Sequence, residues 1–279
     1  MPDQRAPSDP STYIDTARYP VHLHHDDPAR RAVVERLRHD LATNGVAILD
    51  GFVTPEAVAR IAADADVRLV DAHLEDVWGT AYLGLPDESF PEGHPRRTAV
   101  HSRTHVLAYD LVPASCPARQ LFEWDALAAF LGEIIDRGPL YRMDDPLGAL
   151  NLTVMDEGHV QGWHYDSTDF VVSIAVRASD AGGDFECVAD QRSTGDERYE
   201  QVAEVLAGTA GDRVAVYPMT PGTLMVFEGR NALHRVSPVV GDVSRVVALF
   251  GYATAPGTSS SDLLKLVRYG RTEPLEVAS

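Results

Sequence analysis

The chain has 279 residues, 24 Lys and Arg against 42 Asp and Glu, a formal net charge of −18 and 44% hydrophobic residues. That is the composition of a folded protein with a sizeable core, and its acidity argues against nucleic acid or an anionic membrane as partner, since both ask for a basic surface. Cys116 and Cys187 are its only cysteines, which excludes a disulfide framework and a CxxC zinc or redox site.

The first residues lack the apolar core of a signal peptide, and no apolar run approaches the length of a bilayer span, so a cytoplasmic protein is expected. Residues 1–25 are polar and Pro-bearing and read as a loosely ordered lead-in, with His22, His24 and His25 part of a polar tail. Residues 26–279 read as one domain, with a helical flank over 26–140 and a β core over about 149–256. Asp26-Asp27-Pro28 opens a helix with a capping acid and a first-turn proline. Val33, Val34, Leu37 and Leu41 repeat at helical spacing, and Asn44-Gly45 stops it. Residues 46–49 read as a short buried strand, and Thr54-Pro55-Glu56 starts a second helix through about residue 63. The turn-rich segment 70–120 reads as a long loop or lid, and a helix is expected over residues 125–135.

From Ala149 the period changes to two: Leu150, Leu152 and Val154 alternate with Asn151, Thr153 and Met155. Further strands are expected at residues 170–176, 185–188, 214–217, 223–227, 234–238 and 245–252, with an inserted helix at 196–206. Short strands with regular turn signals such as Gly182-Gly183 and Pro221-Gly222 indicate a sandwich or small barrel of the jelly-roll kind.

Gly162-Trp163-His164-Tyr165-Asp166 sets a histidine and a carboxylate two residues apart, and His234 lies in a late apolar strand. On a strand, residues two apart face the same way, so His164 and Asp166 can point together into a barrel mouth. Two His and one carboxylate form the facial ligand set of non-haem iron(II), with positions left for oxygen and a cosubstrate. Arg245, eleven residues after His234, opens the apolar strand Val246-Val247-Ala248-Leu249-Phe250. A guanidinium there needs a buried anionic partner, and a dicarboxylic 2-oxo acid supplies one.

These residues, with His94-Pro95-Arg96-Arg97, Asp145-Pro146-Leu147-Gly148-Ala149-Leu150-Asn151, Gly182-Gly183-Asp184-Phe185-Glu186, Gly229-Arg230, Leu233-His234-Arg235-Val236-Ser237-Pro238-Val239 and Tyr269-Gly270-Arg271, resemble the non-haem iron(II), 2-oxoglutarate-dependent dioxygenases. Within them the chain is similar to the branch of carrier-free amino-acid radical halogenases, of the lysine chlorinase type, and their hydroxylase relatives, over roughly residues 30 to 271. The resemblance implies a mainly β protein with flanking helices and a double-stranded β-helix, jelly-roll or cupin-like core. It further implies His164, Asp166 and His234 as iron(II) ligands and Arg245 as the anchor of 2-oxoglutarate. With O2, the cosubstrate would lose carbon dioxide to become succinate while an unactivated C–H bond of a free amino acid is oxidised. In the halogenases the carboxylate position is Gly or Ala, leaving room for chloride. Asp166 fills it here, so hydroxylation is the expected outcome.

Weaker candidates accompany the core set. Asn151 could reach the cosubstrate or satisfy neighbouring backbone. Arg103, in the segment with His101 and His105, could hold an amino-acid carboxylate, and Asp145 a substrate ammonium or an ordinary turn. Tyr165, Gln161 and Asp169 flank the metal motif and could line the substrate pocket, whereas Trp163 reads as core. His73, His94 and His159 have no evident partner, and Arg230 and Arg235 read as outward-facing or loop-stabilising. The expected partner is a small molecule, with a homodimer possible. Desaturation, cyclisation or halogenation at the same site, or a metal-binding cupin-like sensor without turnover, are the rival readings. Arg245 separates the sensor from the enzymes, because a sensor has no need of a dicarboxylate anchor.

Overall fold

Asp27, Pro28 and Gly45 bound the first helix, α1 (Pro28–Asn44). The Asp27 carboxylate accepts from Ala29 N at 2.8 Å, Pro28 supplies the fixed first-turn φ, and Gly45 takes the left-handed conformation at φ 70° that ends it. The chain then runs through β1 (Val46–Leu49) and α2 (Pro55–Arg68), capped by Thr54. The computed structural model describes residues 9–189 and 191–275; residues 1–8 of the expected lead-in lie outside them.

The rest of the lead-in is not loose. Tyr13, Ile14, Tyr19 and Val21 are buried in the main apolar core. Arg30 ties the segment down by donating to the carbonyls of Val21 and Leu23 while pairing with Glu133 at 2.7 Å. A polar average hid these few anchoring apolar residues.

Residues 70–120 also differ from expectation. They contain β2 (His73–Gly79) and β3 (Val100–Leu107), which pair antiparallel over their whole length, and α3 (Pro117–Phe122). The turn-rich stretch between the two strands is a loop, and it is docked through Arg96, whose Nε donates to the Tyr199 hydroxyl at 2.7 Å. Then come α4 (Asp125–Ile135), β4 (Tyr141–Arg142), β5 (Leu150–Met155), β6 (Val160–His164), β7 (Val171–Arg177), β8 (Ala181–Gly182) and β9 (Phe185–Val188). They are followed by α5 (Tyr199–Leu206), β10 (Ala215–Tyr217), β11 (Leu224–Phe227), β12 (Leu233–Val236), β13 (Val239–Val240), β14 (Arg245–Phe250), β15 (Tyr252–Ala253) and α6 (Asp262–Tyr269).

Among the described residues, eleven strands form one antiparallel sheet in the order β1-β11-β7-β14-β5-β3-β6-β12-β9-β10, with β2 on β3. The sheet curls on itself into a jelly-roll core, as expected from the sequence. Period-two alternation divides β5, β7 and β14 between two environments. Leu150, Leu152, Val154, Val172, Ile174, Val246 and Ala248 pack outward against α1, α2 and α4 in the main core. Asn151, Thr153, Met155, Arg245 and Val247 point the other way, into the interior of the curl. There Phe185, Met225 and Phe227 form a smaller apolar plug at one end. The polar inward residues are what the fold leaves for chemistry.

Candidate metal and cosubstrate site

His164 ends β6 and His234 lies on β12, and the ladder pairs these two residues directly, ring centroids 4.2 Å apart. Each imidazole is oriented by its own chain: His164 Nδ1 lies 2.7 Å from Gly162 O, and His234 Nδ1 lies 2.9 Å from Ala232 O. A carbonyl only accepts, so both Nδ1 atoms carry the proton and both Nε2 lone pairs are free for a metal. Asp166 sits past the end of β6, so shared strand parity does not bring it to His164. Its backbone N donates to Gly229 O at 3.0 Å, and that contact turns the carboxylate back to 3.6 Å from His164 Nε2 and 3.2 Å from His234 Nε2. Gly229 is required there, because a Cβ would collide with the Asp166 carboxylate. One donor atom from each of the three residues falls within 4.8 Å of the others, a buried cluster that fits a single divalent ion.

The three side chains are also coupled through their charges. Burial alone would raise Asp166's pKa, but the imidazoles of His234 and His164 hold it well below the usual carboxylate range. Burial would lower His164, and Asp166 outweighs it and holds the pKa above the ordinary imidazole value.

Arg245 opens β14 on the same inward face and is 6% exposed. Its hydrogen bond is to Met155 Sδ, 3.7 Å from Nη1, and no carboxylate lies within ion-pair distance among the described residues. Burial pushes its pKa down to about 10, with the charge of Asp184 acting against the shift. A buried guanidinium so poorly partnered fits a carboxylate ligand. Gly183 makes room for its stem, since a Cβ at this φ of +66° would stand 2.9 Å from Arg245 Cδ.

The weaker candidates divide. Gln161 joins the site: a register shift between β6 and β12 places it on the same face as His164, its Nε2 3.5 Å from His164 Nε2. Asn151 faces inward, but its amide is occupied, donating to Leu147 O and Leu150 O and accepting from Tyr269 OH at 2.9 Å. It props α6 against the barrel and does not reach for a ligand. Asp145 is 2% exposed and accepts from the backbone N of Leu147, Gly148 and Ser260, so it is a turn residue without a free face for an ammonium. Arg103 is exposed on the outer side of β3 beside Asp76, at 3.6 Å, because the residues facing inward on that strand are Ser102, Thr104 and Val106. Tyr165 alternates away from His164 and joins Trp163 in an outer cluster with Ala81, Val202 and Leu233, under the Arg192 guanidinium. Asp169 braces the loop after the metal motif, bound by Arg230 and 3.7 Å from Arg137.

Sequence reading missed Arg268 and Glu75. Arg268, on α6, lies close enough to the triad for its charge to act on Asp166 and His164, and its Nη1 is 3.6 Å from Glu75 Oε2 on β2. Glu75 pairs with Thr104 across the β2–β3 ladder, so it too faces inward. Burial works against the Arg268 charge, and Glu75, Tyr269 and Asp166 outweigh it and raise its pKa. Glu75 is 9% exposed, and placing it inward from sequence needs β2 to be recognised as a strand.

The fold is shared with known structures. An oxidoreductase of the 2OG-Fe(II) oxygenase family from Burkholderia pseudomallei is 17% identical, with 81% of this chain and 92% of that one aligned at a TM-score of 0.51. The non-heme alpha ketoglutarate dependent epimerase SnoN from nogalamycin biosynthesis is 15% identical, with coverages of 89% and 97% and a TM-score of 0.53. AviO1 from Streptomyces viridochromogenes Tue57 is 22% identical, with coverages of 82% and 96% and a TM-score of 0.52. No curated protein matches the chain. Fold and site together define an enzyme of the non-haem iron(II), 2-oxoglutarate-dependent oxygenase class. Within that class the chain belongs to the Halogenase D family, whose model matches residues 29–263.

Proposed function

We propose that the chain is an iron(II)- and 2-oxoglutarate-dependent hydroxylase of a free amino acid or close derivative. The observation that carries this reading is Arg245, a buried guanidinium without a protein carboxylate, set on the same inward face as the His164, Asp166 and His234 cluster. The three clustered residues would hold iron(II), and Arg245 would pair with the far carboxylate of 2-oxoglutarate. Iron(II), 2-oxoglutarate and O2 would supply the oxidant when bound, with 2-oxoglutarate losing carbon dioxide and taking one oxygen as succinate while the other enters the substrate C–H bond. The chain's own residues fix the geometry and keep water out.

Asp166 supports hydroxylation over halogen transfer in a family described as halogenases. Its oxygen would take the coordination position a halide would need, and the Asp166 N contact to Gly229 O holds the carboxylate toward the two histidines. Arg268 and Glu75 support an amino-acid substrate, the guanidinium suiting a carboxylate and the Glu75 carboxylate an ammonium. Gln161 supplies a neutral polar contact beside His164. No helix among the described residues is long and apolar enough to cross a membrane, in keeping with a small polar substrate met in solution.

The test is a panel of free amino acids assayed for succinate formation with iron(II), 2-oxoglutarate and O2, followed by product mass. A gain of one oxygen atom supports the reading. Anaerobic iron(II) and 2-oxoglutarate should also give the weak visible absorption of a bidentate chelate, and a folded protein without that band refutes the cosubstrate assignment.

A further inference from the structure

A second group of metal-competent side chains lies away from the site above. His105 is on β3, Asp156 follows β5 and His159 precedes β6, so the turn joining β5 and β6 folds its donors back against β3. His105 Nε2 is 3.4 Å from Asp156 Oδ2, and the two imidazole centroids are 5.3 Å apart. One donor atom of each residue falls within 4.8 Å of the other two. His159, just before β6, and His164, at its end, are five positions apart, roughly 16 Å of strand, so the two clusters cannot share an ion.

Hydrogen bonding leaves this cluster incomplete. His159 is 6% exposed, and its buried Nδ1 has no partner; the buried Nδ1 of His105 has none either. His105 turns Nε2 toward Asp156, and the unpartnered Nδ1 of His159 is costly unless a ligand occupies it. Asp156 is meanwhile oriented for a ligand role, because its other oxygen, Oδ1, accepts from Ser244 Oγ at 2.6 Å. That is the outer-shell bond that commonly fixes a metal-binding carboxylate. The separation of His105 and Asp156 matches tetrahedral zinc, where bonds of about 2.0–2.1 Å put neighbouring donors about 3.3 Å apart.

We propose that His105, Asp156 and His159 form a second metal site that takes zinc(II), with water in the fourth position on the solvent side of Asp156. Its role is structural: it pins the β5–β6 turn to β3. Through the Asp156–Ser244 bond it also fixes the residue next to Arg245.

Zinc(II) alone is the probe. The stripped full-length protein is reloaded, desalted and analysed for metal, as wild type, His164→Ala, His105→Gln and His159→Gln. The expected stoichiometries are two for the wild type and one for each variant. Cobalt(II) in His164→Ala should give the intense visible bands of four-coordinate geometry. Asp156→Asn, which retains the carbonyl facing Ser244, should weaken binding at least tenfold and guards against a misfolded histidine variant. The proposal is overturned if His164→Ala binds no zinc, or if His105→Gln and His159→Gln keep the wild-type stoichiometry. One zinc in the wild type, lost in His105→Gln and retained in His164→Ala, would uphold this site and count against the iron triad.

Discussion

Arg245 and Met155 sit opposite each other across the β14–β5 ladder, and the guanidinium's hydrogen bond there is to Met155 Sδ at 3.7 Å. A thioether is a weak acceptor, so the ligand-free protein carries a buried charge that it does not satisfy. Two opposite consequences follow from one substitution. Arg245→Met should raise the 2-oxoglutarate concentration needed for half-maximal succinate formation on the order of a hundredfold, the loss of about 3 kcal/mol expected for a buried bidentate ion pair. The same change should raise the melting temperature without cosubstrate, because an apolar side chain replaces an unpaired charge. Iron(II) binding should be unaffected. An unchanged cosubstrate requirement would remove Arg245 from the site.

Asp166 and Gly229 form the second test. Asp166→Gly removes the carboxylate and frees a coordination position, so hydroxylation should fall at least a hundredfold while two histidines still bind iron(II) more weakly. Wild-type protein supplied with chloride should give only hydroxylated product by mass, and chlorinated product from the wild type would refute the role assigned to Asp166. Gly229→Ala should act on the same ligand from outside, since the added Cβ displaces the carboxylate. Its expected signature is weaker iron binding with the 2-oxoglutarate requirement little changed.

The helix caps, the alternating strands and the residue types of the triad were readable because each rests on local chemistry: Asp27-Pro28, Gly45 and the Leu150–Met155 alternation need no distant partner. β2 and β3 were not readable, because polar residues such as Ser102, Arg103 and Thr104 face both ways along β3 and erase the period-two signal. That loss carried others with it. Strand parity turns Arg103 away from the barrel interior and Glu75 into it, and neither follows without the β2–β3 pairing. Gln161 is three residues from His164, an odd spacing that places it on the wrong face until the β6 irregularity is known. Asp145 looked like a free acid because sequence does not reveal that three backbone N–H groups already claim it.

Proton linkage at the triad gives a pH signature. His164's raised pKa stabilises the metal-free protein below the ordinary imidazole value of about 6.5, and that contribution is lost as pH rises through the folded value. Asp166's depressed pKa stabilises it above the ordinary carboxylate value of about 3.9, a contribution lost as pH falls through the folded value. The stabilisation of the metal-free triad should therefore be greatest between about pH 4 and 6.5. Iron(II) requires both imidazoles neutral, so its affinity should rise with pH through the raised His164 value. Melting temperatures with and without anaerobic iron(II), compared between wild type and His164→Gln, check this. A metal-induced shift equal at pH 5.5 and pH 8 would contradict it.

Arg268 and Glu75 join α6 to β2, 3.6 Å apart, and under the proposed amino-acid reading they are the pair that would meet a zwitterion. If Arg268 takes the substrate carboxylate, Arg268→Gln should raise the amino-acid KM by one to two orders of magnitude, from about 1.5–3 kcal/mol for a charged hydrogen bond. The 2-oxoglutarate KM should stay within a fewfold, because Arg245 lies on β14 and not on α6, and would hold a different anion. Arg268→Lys retains the charge without the planar fork and should recover only part of the loss. Glu75→Gln should weaken binding of the free amino acid but not of its N-acetyl derivative, which has no ammonium to pair. A purely structural role for the pair predicts the reverse pattern, with both variants lowering the melting temperature and both substrates' KM values moving together. The split between the two KM values therefore decides whether α6 is a lid on the barrel or part of the substrate site.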